Sequence, residues 1–304
     1  MLSKQAAKDA LLQHVNKHFF YSSTPAKEMT VTSIVPLSAW HYTLESFTEQ
    51  RSTRETLCND GLDRSLNGAP PHPWDVHCTP STEFMSHQKV LEIPNTSVKK
   101  SCNNCNGRGY KICRACDGMN ICCHCHGAGL AWEYHGTNTR RVACRTCYAT
   151  GHVQICLGCK TRNGQITCST CTGKGSLQYY TELVVKYTNH VSEYVLEKNG
   201  IPKDKIKGVR GQVVFQQNLP CVEPISQHSE QQIIVNSMRM VNDHRQAWPG
   251  EKIIKQRQVL RSVPVSEVAY TWYDCNQRFW VFGNEREVHA PDYPYQHLWG
   301  CNVS

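Results

Sequence analysis

Twelve cysteines of this chain stand in six Cys-x-x-Cys pairs: Cys102 with Cys105, Cys113 with Cys116, Cys122 with Cys125, Cys144 with Cys147, Cys156 with Cys159, and Cys168 with Cys171. Two thiols three residues apart on a tight turn aim both sulfurs at one point, and thiolates in sets of four are the ligands of structural zinc. Three pairs continue as Cys-x-x-Cys-x-Gly-x-Gly: Cys102 with Gly107 and Gly109, Cys122 with Gly127 and Gly129, and Cys168 with Gly173 and Gly175. Glycine after such a knuckle permits positive φ and close backbone approach, which lets amides reach the sulfurs. The other pairs keep the thiols and vary the glycines, with Gly118 then Asn120, Ala149 then Gly151, and Lys160 with Thr161. Almost no aliphatic core lies between residues 101 and 175, so the chemistry expected of the cysteines is folding by metal.

The spacing suggests how the pairs combine. They begin at 102, 113, 122, 144, 156 and 168, and the longest interval is the central one. Trp132 and Tyr134 precede Gly136-Thr137-Asn138 there and Val142 follows, which reads as a hairpin tip. A chain folded back at that point gives three nested four-thiol sites. The inner one takes Cys122, Cys125, Cys144 and Cys147, the middle one Cys113, Cys116, Cys156 and Cys159, and the outer one Cys102, Cys105, Cys168 and Cys171. Pairing of sequence neighbours, Cys102 and Cys105 with Cys113 and Cys116, is the alternative and stays open. Cys123 is a spare thiol, and His124, His126, His135 and His152 read as surface or supporting groups.

The block resembles the zinc-binding cysteine-rich domain of DnaJ-type Hsp40 chaperones, with six pairs in place of four. With Leu177 to Val185 and the ending Val288-His289-Ala290-Pro291-Asp292-Tyr293-Pro294, nearly the whole chain resembles the Ssu-two homologue family. The resemblance implies an extended zinc-bound β-hairpin, two of the three zinc ions, and protein partners, either unfolded clients or a chaperone. His72-Pro73-Trp74 lacks the aspartate of the J-domain signature His-Pro-Asp and has no helical hairpin around it, so stimulation of Hsp70 by that route is not expected.

Around this block, residues 3–20 read as a helix, because Ala7, Leu11, Val15 and Phe19 recur every fourth residue and Ser3 can cap the start. Residues 29–47 read as one or two strands, 58–82 as a proline-rich connector and 90–93 as a short strand. Beyond the cysteines, 177–195 alternates as a strand and turns near Asn189-His190 into a hairpin. Ser229 and Gln232 form a capping box for a helix with Ile233, Ile234, Met238 and Val241 on its core face. Residues 259–265 and 268–282 read as strands, the latter folded at Asp274-Cys275-Asn276. The expected class is α+β: residues 1–95 hold the N-terminal helix, short strands and connector, 96–178 the cysteine-rich zinc domain, and 179–304 a C-terminal α+β domain.

Net charge narrows the function. The formal +8 counts cysteines as neutral, whereas each zinc with four thiolates carries a net −2, so three sites bring the chain to about +2. Between 96 and 178 eleven Lys or Arg face only Asp117 and Glu133, and these cations largely compensate thiolates. A zinc-stabilised protein-binding or chaperone-like scaffold is the leading expectation. A nucleic-acid-binding zinc protein, pointed to by Arg140-Arg141, comes second, and a thiol–disulfide oxidoreductase third. No His-Glu-x-x-His, Gly-x-Ser-x-Gly or P-loop motif occurs, so no catalytic residue is nominated and no enzyme is expected. Cys58, Cys78, Cys221, Cys275 and Cys301 are scattered singly and read as small buried hydrophobes. With no run of eighteen apolar residues and no charged-then-apolar start, neither a membrane span nor a signal peptide is expected, and the compartment is cytosol or nucleus.

Overall fold

The computed structural model describes residues 2–18, 21–58, 68–115, 118–136, 138–153, 155, 158–161, 164–198, 200–273 and 275–293. The described residues combine helices and strands as the expected α+β class implies, but are mostly β with few helices. In chain order the elements are α1 (Lys4–Asn16), α2 (Thr24–Glu28), β1 (Thr30–Leu57), β2 (His87–Glu92), β3 (Val98–Ser101), β4 (Tyr110–Ile112), β5 (Leu130–His135) and β6 (Asn138–Ala143). There follow β7 (Gln165–Thr167), β8 (Ser176–Leu196), α3 (Lys203–Gly208), β9 (Gln212–Leu219), α4 (Gln231–Gln246), β10 (Lys252–Trp272), β11 (Cys275–Phe282) and β12 (Glu287–His289). No helix among them is long and apolar enough to cross a membrane.

An eight-stranded sheet carries the path β12-β11-β10-β1-β8-β2, with β3 beside β8 and β9 beside β10. The excess of strand comes from length. β1 spans 28 residues and β8 and β10 span 21 each, against the five or six that are usual. The turn expected at Asn189-His190 does not form. Asn189 donates its backbone N–H to Ser86 Oγ and its side-chain amide to Glu45, while the His190 ring stacks 3.7 Å from Trp248 and bonds Glu251. Turn-forming residue types are thus held extended by tertiary partners, and β8 runs on as one strand. In the same way β10 is continuous across the break expected between 265 and 268. The hairpin after it pairs Trp272 with Cys275, with Asp274 itself outside the described residues.

The chain forms two compact units, each discontinuous in sequence. One comprises residues 1–50, 79–89 and 185–304, the other 51–78 and 90–184. In the first unit, antiparallel β1 and β10 pair from Thr30 with Thr271 to Glu49 with Lys252. Helix α1 is capped by Ser3, whose Oγ accepts from the Ala6 N–H. It buries Ala7, Ala10, Leu11 and Val15 against Met29, Val268 and Phe279; Phe19 lies outside the described residues. Full burial of a side chain such as Leu11 is worth about 1.5–3 kcal/mol.

Helix α4 departs from its expected form. Glu230, not Ser229, precedes the helix, and the capping box does not form. The buried face is Ile233, Ser237, Met240, Val241 and His244, whereas Met238 is 51% exposed. Ser237 sits at the centre of that face because its hydroxyl accepts from the Ile225 N–H and donates to Tyr42, whose own hydroxyl donates to Gln258. A small polar residue that finds partners under the helix rotates the buried face away from Met238.

In the second unit short ladders replace an apolar core: β3 with β8, β4 with β7, and β5 with β6. Between them an isolated bridge joins Ile121 and His152. The buried clusters of this block consist of cysteines with only Leu177, Ala131 or Val153 packed against them.

Candidate metal centres and a groove beside a sheet edge

The ladders bring distant knuckles together step by step. Where β3 ends, Cys102 N–H donates to Gly175 O and Cys168 N–H to Gly109 O. Past β4 and β7, Cys113 N–H donates to Gly164 O. Further along, Cys122 N–H donates to Gly151 O and Cys144 N–H to Gly129 O, at the root of the β5–β6 hairpin. Two buried four-thiol groups result: Cys102, Cys105, Cys168 and Cys171, and Cys122, Cys125, Cys144 and Cys147, with all sulfurs of a group within 4.8 Å of one another. These are the outer and inner groups of the nested arrangement. Of the middle one, Cys113 is buried and Cys159 half-buried with its sulfur 3.1 Å from Thr161 Oγ1. Cys116 and Cys156 lie outside the described residues.

Sulfur spacing tests what these groups can hold. The cross-pair distances are 3.9 Å for Cys102–Cys168, 3.7 Å for Cys105–Cys171, 3.8 Å for Cys122–Cys144 and 3.5 Å for Cys125–Cys147. A tetrahedron with metal–sulfur bonds of about 2.3 Å has edges of about 3.8 Å. A disulfide needs about 2.05 Å. Each group could therefore hold a tetrahedral metal ion, and none of its thiols is bridged as a disulfide.

Glycine divides into two roles. The last glycine of each knuckle faces the backbone of the opposite one: a Cβ at Gly109 would lie 2.2 Å from Gly173 O, and at Gly151 2.4 Å from Gly127 O. These positions admit no side chain. The preceding glycine position has more room, which is why Ala149 can occupy it at φ +63° in the fourth pair while Gly151 is kept. Gly109 and Gly175 also donate their N–H groups to the sulfurs of Cys105 and Cys171, each at 3.3 Å.

The thiols of a group are electrostatically unequal. The backbone amide of Cys171 brings Cys168 down to about 6 against the opposing effect of burial. At Cys144 burial pushes upward but is outweighed by the amides of Cys147 and Thr146, and the thiol falls to about 6. Burial pushes Cys102 and Cys122 up to about 11. Each group thus presents one thiol poised as thiolate, the species that ligates metal. His124, His126 and His152 are exposed and belong to neither group; the His135 side chain is outside the described residues.

The single cysteines differ from expectation. Cys221 and Cys275 are exposed and Cys58 and Cys78 half-buried, because they stand in or beside turns and irregular segments; Cys301 lies outside the described residues. His72-Pro73-Trp74 is a loop, held by the Arg51 guanidinium, which donates to Pro73 O and Val76 O.

The first unit also carries a groove of about 500 Å³ that no motif in the sequence announces. Trp40, Phe215, Ile225 and Leu260 supply apolar lining, and Gln217, Glu223, Gln227 and His228 supply polar groups. Phe215 and Gln217 come from β9, which pairs with β10 from Gln212 with Ser262 to Leu219 with Gln256 and with no other strand among the described residues. Its Val213, Val214 and Leu219 are 43–50% exposed.

No family model matches the chain, and no solved structure matches it. It is similar to proteins named "Protein SSUH2 homolog": that of Danio rerio is 31% identical over 298 residues, covering 96% of this chain and 80% of that protein. The Homo sapiens protein is 28% identical over 99% of this chain and 80% of its own length, and that of Mus musculus 30% identical over 80% and 71%.

Proposed function

This chain belongs to the SSUH2 homologue family, and on that footing we propose that it is a zinc-stabilised, chaperone-like scaffold that binds extended segments of other proteins. Zinc fits the two four-thiol groups because their cross-pair edges match those of its tetrahedron and because four protein ligands close the site. A closed site leaves no position for water or substrate, so the metal supplies folding energy rather than chemistry. By the symmetry of the sequence a third zinc joins Cys113, Cys116, Cys156 and Cys159.

The observation that carries the binding role is the open edge of β9 beside the groove. An edge strand offers a row of N–H and C=O groups to an added strand, and a neighbouring apolar recess takes alternate side chains of that strand. β9 contains no charge and no proline, the residues by which proteins usually blunt an edge. Trp40 and Phe215 then serve as aromatic anchors for an apolar side chain of the bound segment.

The test is binding of a fluorescein-labelled, permanently unfolded carboxymethylated protein to the zinc-loaded chain. Saturable binding that Val214→Pro and Phe215→Ala both weaken at least tenfold supports the scaffold; binding unchanged by both overturns it. Native mass spectrometry of the same proteins counts the metal ions, and a mass other than zinc, or none, overturns the metal assignment.

A further inference from the structure

The β5–β6 hairpin holds an aromatic face with no role in the scaffold. Residues opposite one another across an antiparallel pair share a face, so Trp132 with Arg141 and Tyr134 with Thr139 lie on one side and Glu133 with Arg140 on the other. On the first side Leu130, Trp132 and Tyr134 are 44%, 57% and 75% exposed, and the Arg141 guanidinium lies 5.0 Å from the Trp132 ring centroid. On the second side Glu133 is engaged by both Arg140 and Arg145. Two arginines thus share one acid on that side, and a third, Arg141, lies on the aromatic face with no acid opposite it in the ladder. The root of the hairpin is fixed by the inner thiol group through the Cys144 N–H to Gly129 O bond.

We infer that this hairpin face binds single-stranded nucleic acid by base stacking on Trp132 and Tyr134, with Arg141 at the phosphates. Rings two residues apart on a strand stand about 6.8 Å from each other, enough for successive unstacked bases to lie on them. Charge complementarity favours an anionic chain. The exposure of the rings favours bases over a peptide: side chains more than half exposed line no recess into which a peptide anchor could be buried, whereas a flat base needs only a ring face. Duplex RNA offers neither free bases nor a groove that the aromatic side chains can read, and is excluded on the same ground.

The test uses the full zinc-loaded chain and fluorescein-labelled oligouridine, oligoadenosine and a duplex of equal length, followed by anisotropy across a salt series. Single strands should bind with a log–log salt slope of about −0.7, as the one phosphate contact at Arg141 gives. Trp132→Ala and Tyr134→Ala should each weaken binding about ten- to a hundred-fold, Arg141→Glu should abolish it, and Arg141→Lys should keep most of it. Unchanged zinc content in each variant shows that the fold is intact. Absence of saturable binding, equal binding of duplex, or indifference to Trp132→Ala overturns the inference. Displacement of the oligonucleotide by an equimolar acidic aromatic peptide would instead assign the face to a protein. Phe215→Ala leaves this binding unchanged, so loss of the groove reading and loss of this one are separately visible.

Discussion

At the scale of single residues the cysteine block discriminates between neighbouring glycines. Gly109 and Gly107 both have positive φ, but only at Gly109 would a Cβ meet a backbone oxygen; at Gly107 the nearest atom is the Ser101 side chain at 3.9 Å. We expect Gly107→Ala to cost about 1–2 kcal/mol from backbone strain alone and to keep full metal content. Gly109→Ala forces the two outer knuckles apart and should release one metal ion, as counted by native mass spectrometry. Cys105→Ser and Cys171→Ser should release that same ion, and Cys125→Ser the other. Loss of different ions from Cys105→Ser and Cys171→Ser would exclude a shared site. The eight thiols that gather into two groups were legible in the sequence, since Cys-x-x-Cys needs no tertiary knowledge. The unequal roles of the two glycines were not, because the tighter one is set by a carbonyl in another knuckle, as at Gly109 by that of Gly173.

Among elements, α4 and the long strands show where periodicity succeeds and where tertiary contacts override it. Ile233 and Val241 were readable as core from their spacing, but Met238 and Met240 are both plausible at helical period, and Ser237 decides between them by its bonds to Ile225 and Tyr42. Met240→Ala should therefore lower stability by about 2–4 kcal/mol and Met238→Ala by less than about 0.5 kcal/mol, measured by urea unfolding. Equal effects would mean the helix docks on another face. The same helix contributes His244, 4% exposed, whose Nδ1 faces Ser46 Oγ at 2.7 Å and whose Nε2 faces Ser192 Oγ at 2.8 Å. Burial, then the nearby His190, lowers its pKa below the ordinary 6.5. The folded state holds the neutral ring, so the stability it contributes is complete above 6.5 and is lost as pH falls from there towards the folded value. His14, lowered to about 4 by burial and by His18, acts in the same direction. The unfolding midpoint should fall between pH 7 and pH 5, above the range where carboxylates titrate, and His244→Gln should flatten that slope at equal metal content. The strands β8 and β10 escaped the sequence for a related reason: Asn189 and His190 carry turn propensity, yet Glu45, Ser86 and Trp248 use them inside a sheet.

Across the whole molecule, two kinds of stabilisation occupy two compact units. The unit of residues 1–50, 79–89 and 185–304 is held by ordinary apolar clusters around Leu11, Tyr42, Ile233 and Val263, with no four-thiol group among its described residues. The other contains both four-thiol groups, whose buried clusters are made of the cysteines themselves. Metal binding at structural thiolate sites is worth on the order of 10–16 kcal/mol of folding free energy, far more than a few half-buried residues such as Leu177 and Val153 could replace. The +8 formal charge joins the same account: the three proposed zinc–thiolate centres, each of net −2, would leave about +2, so removing the metal at neutral pH, where most of the thiols reprotonate, would make the chain more basic as well as unfolded locally. Chelation should therefore abolish amide protection between residues 102 and 171 while strand β10 keeps its protection, read by hydrogen exchange with mass spectrometry before and after treatment with a strong chelator. Readdition of zinc should restore the protection, and magnesium should not, since a hard oxygen-seeking cation does not replace a thiolate-bound one. Full protection of the cysteine segment without metal would overturn the zinc-dependent fold, and simultaneous loss in β10 would show that the two units do not fold separately.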